Sequence, residues 1–234
     1  MLEDIDVVIL CGGLGKRLRS VDPDTPKVMV TFEERPFLDI VMERMAAQGL
    51  ERFILCTGYK AQWIEEYYRR NQRPFVVDFS REEEPLGTGG AVKNAQPIIS
   101  SDPFLVLNGD CYCEVNYAEF VTFHQEKGGV ASLVAAHLED SRDYGSLTIA
   151  DDSRILAFEE KQDKGAAAIN AGRYCFNQEI FDKMPEKAKF SLEYDVFPSL
   201  IEEGLFGYPS DGDFFDIGTP ERYQLAMEYF KNGK

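Results

Sequence analysis

Residues 6–19 read DVVILCGGLGKRLR: an acid followed by four apolar residues, three glycines within four positions, and then Lys16, Arg17 and Arg19. A continuous apolar, β-branched run such as 6–10 predicts a buried strand. Glycines after a strand let the backbone approach a phosphate closely, and consecutive amides can cradle an anion. Two familiar phosphate-binding patterns fail here. The dinucleotide fingerprint would need glycine where Leu18 stands, and the P-loop would need glycine at Leu10 and Ser or Thr at Arg17. A Rossmann dehydrogenase and a P-loop kinase are therefore disfavoured. On composition alone the loop reads as a solvated basic surface turn, with a phosphate-binding turn as the alternative.

Outward from this stretch, strand-like and helix-like segments alternate. FLDIVMERMAAQ (37–48) places Phe37, Leu38, Val41 and Met45 on one helical face, with Gly49 as its stop. Strands are predicted over 52–59, 75–79 and 104–110, and helices over 61–70, 88–96 and 117–126. Strands separated by helices of about ten residues imply βαβ units and a mostly parallel sheet, with ligands at the carboxyl ends of the strands. From about 128 the pattern changes to closely spaced strand-like runs, GVASLVAAHL, SLTIADD, RILAFEEK and AAAINAGRYCFN, which predict mixed or antiparallel strands. FDKM and SLEYDVFPSLIEEG read as helices. A last helix is marked by Thr219 as N-cap, Pro220 at the first helical position and Glu221 in the first turn. The expected fold is α/β: a Rossmann-like mixed, mostly parallel sheet flanked by helices in a single domain, 1–234, with halves at about 1–127 and 128–234.

The chain has 234 residues, with 25 Lys plus Arg against 41 Asp plus Glu, a net charge of −16. Such acidity argues against nucleic-acid partners and against anionic membranes, and a polyanionic ligand would need local cations or amides. Five cysteines, an odd number without a C-x-x-C pair, read as small buried hydrophobes in a reducing compartment. Two histidines without ligand spacing argue against zinc. No signal peptide or membrane span is evident, so a soluble, cytoplasmic protein is expected.

Beyond GGLGKRL, the blocks TPKVM, RPFLD, EPLGTGGA (84–91), VLNGD (106–110), FEEK (158–161), INAG (169–172) and FFDIGTPERY (214–223) occur in one order along the chain. Together they resemble the sugar-1-phosphate nucleotidyltransferases, over nearly the whole chain. Among compact members they are most similar to the D-glycero-α-D-manno-heptose 1-phosphate guanylyltransferases, a likeness the KFSLE segment (189–193) shares. Short mannose-, glucose- and N-acetylmuramate-1-phosphate nucleotidyltransferases carry most of the same blocks. A nucleotide-sugar sensor on the same fold would be expected to lose Arg17, Lys27, Asp110 or Asp216; all four are present.

The resemblance implies transfer of a nucleoside monophosphate from a nucleoside triphosphate to a sugar 1-phosphate, with release of pyrophosphate. It implies that Arg17 and Lys27 are the catalytic cations and that Asp110 and Asp216 hold Mg²⁺. Leu10, Gly12, Gly13, Gly15, Glu82, Gly87, Thr88 and Gly109 fall at nucleotide-binding positions, and Gly145, Glu160, Lys161 and Asn170 at sugar-phosphate positions. Gln162 follows Lys161 where the family often has proline. Pyrimidine-specific relatives carry Gln where Glu82 stands. An ionised carboxylate only accepts, which suits the adjacent N1–H and N2 amine of guanine and favours GTP; a solvated acidic turn at 82–84 is the alternative. The partners implied are the two small-molecule substrates, with no nucleic acid and no membrane, and a homodimer left open.

Overall fold

The computed structural model describes residues 2–13, 15, 18, 24–141, 144–159 and 165–231. The first half runs β1 (Asp6–Leu10), the short hairpin β2 (Thr31–Phe32) and β3 (Arg35–Pro36), α1 (Phe37–Ala46), β4 (Arg52–Thr57), α2 (Ala61–Arg70), β5 (Val76–Arg81), α3 (Gly87–Ala95), β6 (Phe104–Asn108), β7 (Cys111–Cys113) and α4 (Tyr117–Lys127). The second half runs β8 (Ala131–Leu138), β9 (Ser146–Ile149), β10 (Ile155–Glu159), β11 (Ala167–Phe176), α5 (Phe197–Leu200), β12 (Leu205–Ser210), β13 (Phe214–Asp216) and α6 (Pro220–Lys231).

Four strands pair in parallel in the order β5-β4-β1-β6. The apolar runs of β1, β4 and β6 are buried on both faces, whereas β5, at the edge, is mostly half-buried or exposed. Val7 and Ile9 pack on the side that carries Phe37, Val41, Ile64 and Phe120, whereas Val8 packs on the side of Val92, Phe104 and Phe197. The change of texture near 128 corresponds to a change of direction. β11 runs antiparallel to β6 and to β8, β12 runs parallel beside β8, and β9 and β10 extend the far edge. The β11–β8 register breaks between Asn170 and Tyr174, with Gly172 at φ +65°. The INAG block is thus an irregularity: β8 stays beside β11 on one edge, while on the other β9 gives way to β6.

Two expectations need revision. SLEYDVFPSLIEEG is not one helix: Leu192–Val196 form a π-helical turn and α5 is a single short turn. Ser191 caps the π turn by accepting from the Glu193 and Tyr194 amides, and Asp195 accepts from the Ser191 amide at 2.7 Å, so local side-chain bonds override helical periodicity. FDKM lies in a 3₁₀ segment, Gln178–Lys183. No helix among the described residues is long and apolar enough to cross a membrane.

Candidate active site

At the carboxyl ends of β1, β5 and β6 lies a cavity of about 320 Å³. Leu10, Gly12, Gly13, Lys27, Glu82, Gly87, Thr88 and Asp110 all line it. Gly15 packs against the Lys27 side chain, and the Gly109 amide donates to Leu10 O at 3.0 Å, tying the end of β6 to the end of β1.

Glu82 follows β5, and its amide continues the ladder to Thr57 O at 2.8 Å. Its Oε2 accepts the Leu86 amide at 2.9 Å, while Oε1 faces Gly12. Burial raises its pKa, and the Leu86 amide opposes that only in part. The turn after Glu82 ends at Gly87, whose φ of +74° suits a residue without a β-carbon. There α3 begins, and the amides of Gly89 and Gly90 both donate to Phe190 O, at 3.1 and 3.2 Å. The helix end is thus closed by the KFSLE segment.

That segment brings a residue the sequence reading missed. Glu193 Oε2 accepts from Thr88 Oγ1 at 2.7 Å and from Ser191 Oγ at 2.6 Å. Its Oε1 lies 3.4 Å from the Tyr174 hydroxyl, which in turn accepts from Asn170 Nδ2 at 3.1 Å. One carboxylate therefore links Thr88 at the cavity to Asn170 on β11. The KFSLE block was visible in the sequence, but nothing in its spacing placed it against α3.

The paired aspartates come together on an element too short to be foreseen. β7 and β13 form a separate two-stranded ladder in which Asp216 stands opposite Cys111, and the Ile217 amide donates to Asp110 O at 3.0 Å. Asp110 lies in the turn between β6 and β7, and Asp216 ends β13. Lys27 Nζ donates to Asp110 Oδ2 at 2.6 Å. Burial alone would raise the Asp110 carboxyl, but the Lys27 charge overrides it and holds the group below its usual range. Asp216 Oδ1 accepts the Gly218 amide at 2.7 Å, and its Oδ2 accepts from Arg222 Nη1 at 2.8 Å and from the Tyr144 hydroxyl.

Beneath the Asp110 turn, the buried Arg173 guanidinium donates to Asn108 O at 3.2 Å, Gly172 O at 3.1 Å and Cys111 O at 2.5 Å. It binds both flanks of the turn to β11. Gly145 directly precedes β9, next to Tyr144. Arg17, Glu160 and Lys161 lie outside the described residues.

No group of three or more His, Cys, Asp or Glu that could hold a metal forms among the described residues. Two carboxylates are nevertheless the donor set that suits Mg²⁺ when substrate phosphates and water supply its other ligands. The hard oxygens of Asp110 and Asp216, with lysine and arginine as present counter-charges, fit such an ion.

The profile of the family described as nucleotidyl transferase matches residues 6–232. The chain is 35% identical, over 96% of its length and 97% of the relative's, to D-glycero-alpha-D-manno-heptose 1-phosphate guanylyltransferase of Aneurinibacillus thermoaerophilus. It is 34% identical to mannose-1-phosphate guanylyltransferase of Mycobacterium tuberculosis, over 94% of this chain and 63% of that protein. The crystal structure of HddC from Yersinia pseudotuberculosis complexed with GMP-PN is 39% identical and superposes with a TM-score of 0.87, covering 97% of this chain and 99% of that one.

Proposed function

Because the chain belongs to the nucleotidyl transferase family, we propose that it transfers GMP from GTP to D-glycero-α-D-manno-heptose 1-phosphate, giving GDP-heptose and pyrophosphate. The observation that carries the choice of base is Glu82, a half-buried carboxylate in the wall of the cavity with Oε2 held by the Leu86 amide and Oε1 facing Gly12. An acceptor-only group there matches the two adjacent donors of guanine and repels the carbonyl acceptors of uracil and thymine. The likeness to the heptose enzyme over nearly the full length of both chains supports the sugar. Mannose 1-phosphate is the second reading, supported by the mannose-specific relative.

An oxygen of the sugar phosphate attacks the α-phosphorus in line. A new P–O bond forms, the α–β bridging P–O bond breaks, and pyrophosphate leaves with the electron pair. The nucleophile is already an anion, so the chain need not supply a general base, and catalysis rests on positioning and charge neutralisation. Lys27 leaves Asp110 for the α-phosphate, and Arg17 holds the departing pyrophosphate. The glycine loop lets its backbone approach the triphosphate, and Glu160, Lys161, Gly145 and Asn170 hold the acceptor. Asp110 and Asp216 would hold Mg²⁺, whose chemistry is to neutralise charge on the triphosphate. Five buried cysteines, none in a disulfide, support work in the reducing cytoplasm.

The test is a matrix of four nucleoside triphosphates against heptose, mannose, glucose and N-acetylmuramate 1-phosphates, read by pyrophosphate release. GTP with the heptose phosphate should give the highest kcat/KM; a preference for UTP would overturn the base, and one for mannose 1-phosphate the sugar.

A further inference from the structure

Arg222, in the first turn of α6, has no part in the reaction set out above, yet it is built into its centre. Its guanidinium lies 4.6 Å from the centroid of the Tyr144 ring and donates to the same Asp216 oxygen that the Tyr144 hydroxyl bonds. Asp216 Oδ1 is taken by the Gly218 amide. In this arrangement the buried Asp216 carboxylate is engaged at both oxygens by protein donors.

The surrounding charges form a row. Outward from the nucleotide cavity stand Asp110 and Lys27, then Gly218, then Asp216 and Arg222. A β-carbon on Gly218 would lie 2.6 Å from Asp216 Oδ1 and 3.7 Å from Lys27 Nζ, so the two ion pairs meet at the bare face of Gly218. Lys27 and Asp110 line the cavity, whereas Arg222, Asp216 and Tyr144 do not. Arg222 therefore lies outside that cavity, beside Tyr144, whose neighbour Gly145 the proposed function gives to the acceptor.

A divalent cation held by Asp216 would compete with the guanidinium for the same carboxylate and weaken its hold. On the proposed function, the anion that binds beside Gly145 is the phosphate of the sugar 1-phosphate. In a chain of net charge −16 that phosphate needs a local cation, and the planar guanidinium fork matches phosphate oxygens. We propose that Arg222 is a phosphate-binding residue for the acceptor sugar 1-phosphate, held on Asp216 together with Tyr144 until substrate and metal exchange its partner. The proposal rests on the nucleotidyl-transfer reading above.

The experiment compares wild type with Arg222→Ala, Arg222→Gln and Arg222→Lys. It measures kcat/KM for each substrate at saturating concentration of the other, and Mn²⁺ binding to the nucleotide-free protein by electron paramagnetic resonance. Loss of one charge-assisted phosphate contact should lower kcat/KM for the sugar 1-phosphate by about 10- to 100-fold in the Ala and Gln variants. KM for GTP should stay within about twofold, because the contact is made to the other substrate. Arg222→Lys should recover part of the loss. Mn²⁺ should bind the Ala and Gln variants more tightly than wild type, since Asp216 has lost a competing cation. Gln keeps most of the side-chain packing, so the comparison survives if the Ala variant fails to fold. Weaker Mn²⁺ binding, or equal losses toward both substrates, would make Arg222 a structural support of Asp216 and overturn the proposal, as would unchanged kinetics toward the sugar 1-phosphate in an active enzyme. A wild type that releases no pyrophosphate from any substrate pair would instead remove the nucleotidyl-transfer reading, and the proposal with it.

Discussion

A β-carbon on Gly12 would lie 2.6 Å from Glu82 Oε1. The loop after β1 and the acid after β5 are in contact only because Gly12 has no side chain, and on the proposed reading that contact sets where the carboxylate would meet guanine.

Gly12→Ala should therefore displace the Glu82 carboxylate. The expected outcome is a fall of at least about tenfold in kcat/KM for GTP, the scale of one charge-assisted hydrogen bond. Glu82→Gln should erode the preference for GTP over UTP while leaving the metal requirement intact. Both are read from kcat/KM for the four triphosphates with one sugar 1-phosphate. An unchanged preference in both variants would mean that the base is read elsewhere.

Burial raises the Glu82 pKa, so its charge is lost at a higher pH than for a free glutamate, which titrates near about 4.3. A protonated carboxyl presents one donor and loses the attraction to guanine N1–H and N2–H₂. KM for GTP should therefore climb as pH falls, beginning above that reference value, and the climb should be absent in Glu82→Gln. Initial rates over a pH series with both proteins check this.

Asp110→Asn and Asp216→Asn should each reduce turnover by at least about 10²-fold, the magnitude typical of losing one electrostatic stabiliser. EDTA should abolish activity, and added Mg²⁺ should restore it. A fully active Asp110→Asn variant would refute the metal assignment.

Lys27 Nζ donates to Asp110 Oδ2 at 2.6 Å. Lys27→Ala and Arg17→Ala should lower kcat more than they raise KM, because both charges meet negative charge that grows toward the transition state. Lys16→Ala and Arg19→Ala should be milder. Steady-state kinetics of the four variants decide the register of the basic loop; a Lys16→Ala loss exceeding the other three would shift it by one residue.

The parallel half of the fold was legible because its strands are continuous apolar runs and its helices keep a clear apolar face. α1, α2 and α4 begin where the sequence predicts. The reading was weakest where geometry depends on contacts between distant segments. β7 and β13 are three residues each, too short for any periodicity, yet they bring Asp110 and Asp216 together. Tyr144 and Arg222 were invisible as partners of Asp216 because nothing local joins a residue before β9 to the first turn of α6. Glu193 was hidden for a related reason: the π turn that presents it is stabilised by Ser191 and Asp195, while its partners Thr88 and Tyr174 lie 105 and 19 residues away.

The bridge through Glu193 has a thermodynamic consequence. Thr88 holds one oxygen of this carboxylate at 2.7 Å and Tyr174 approaches the other at 3.4 Å, so α3 and β11 lean on one side chain. On the proposed reading, whatever free energy nucleotide beside Thr88 would lend to acceptor beside Asn170, the reverse effect must equal it. The affinities for either substrate alone and for both together would then form a closed cycle, with Glu193 as a side chain that touches both halves.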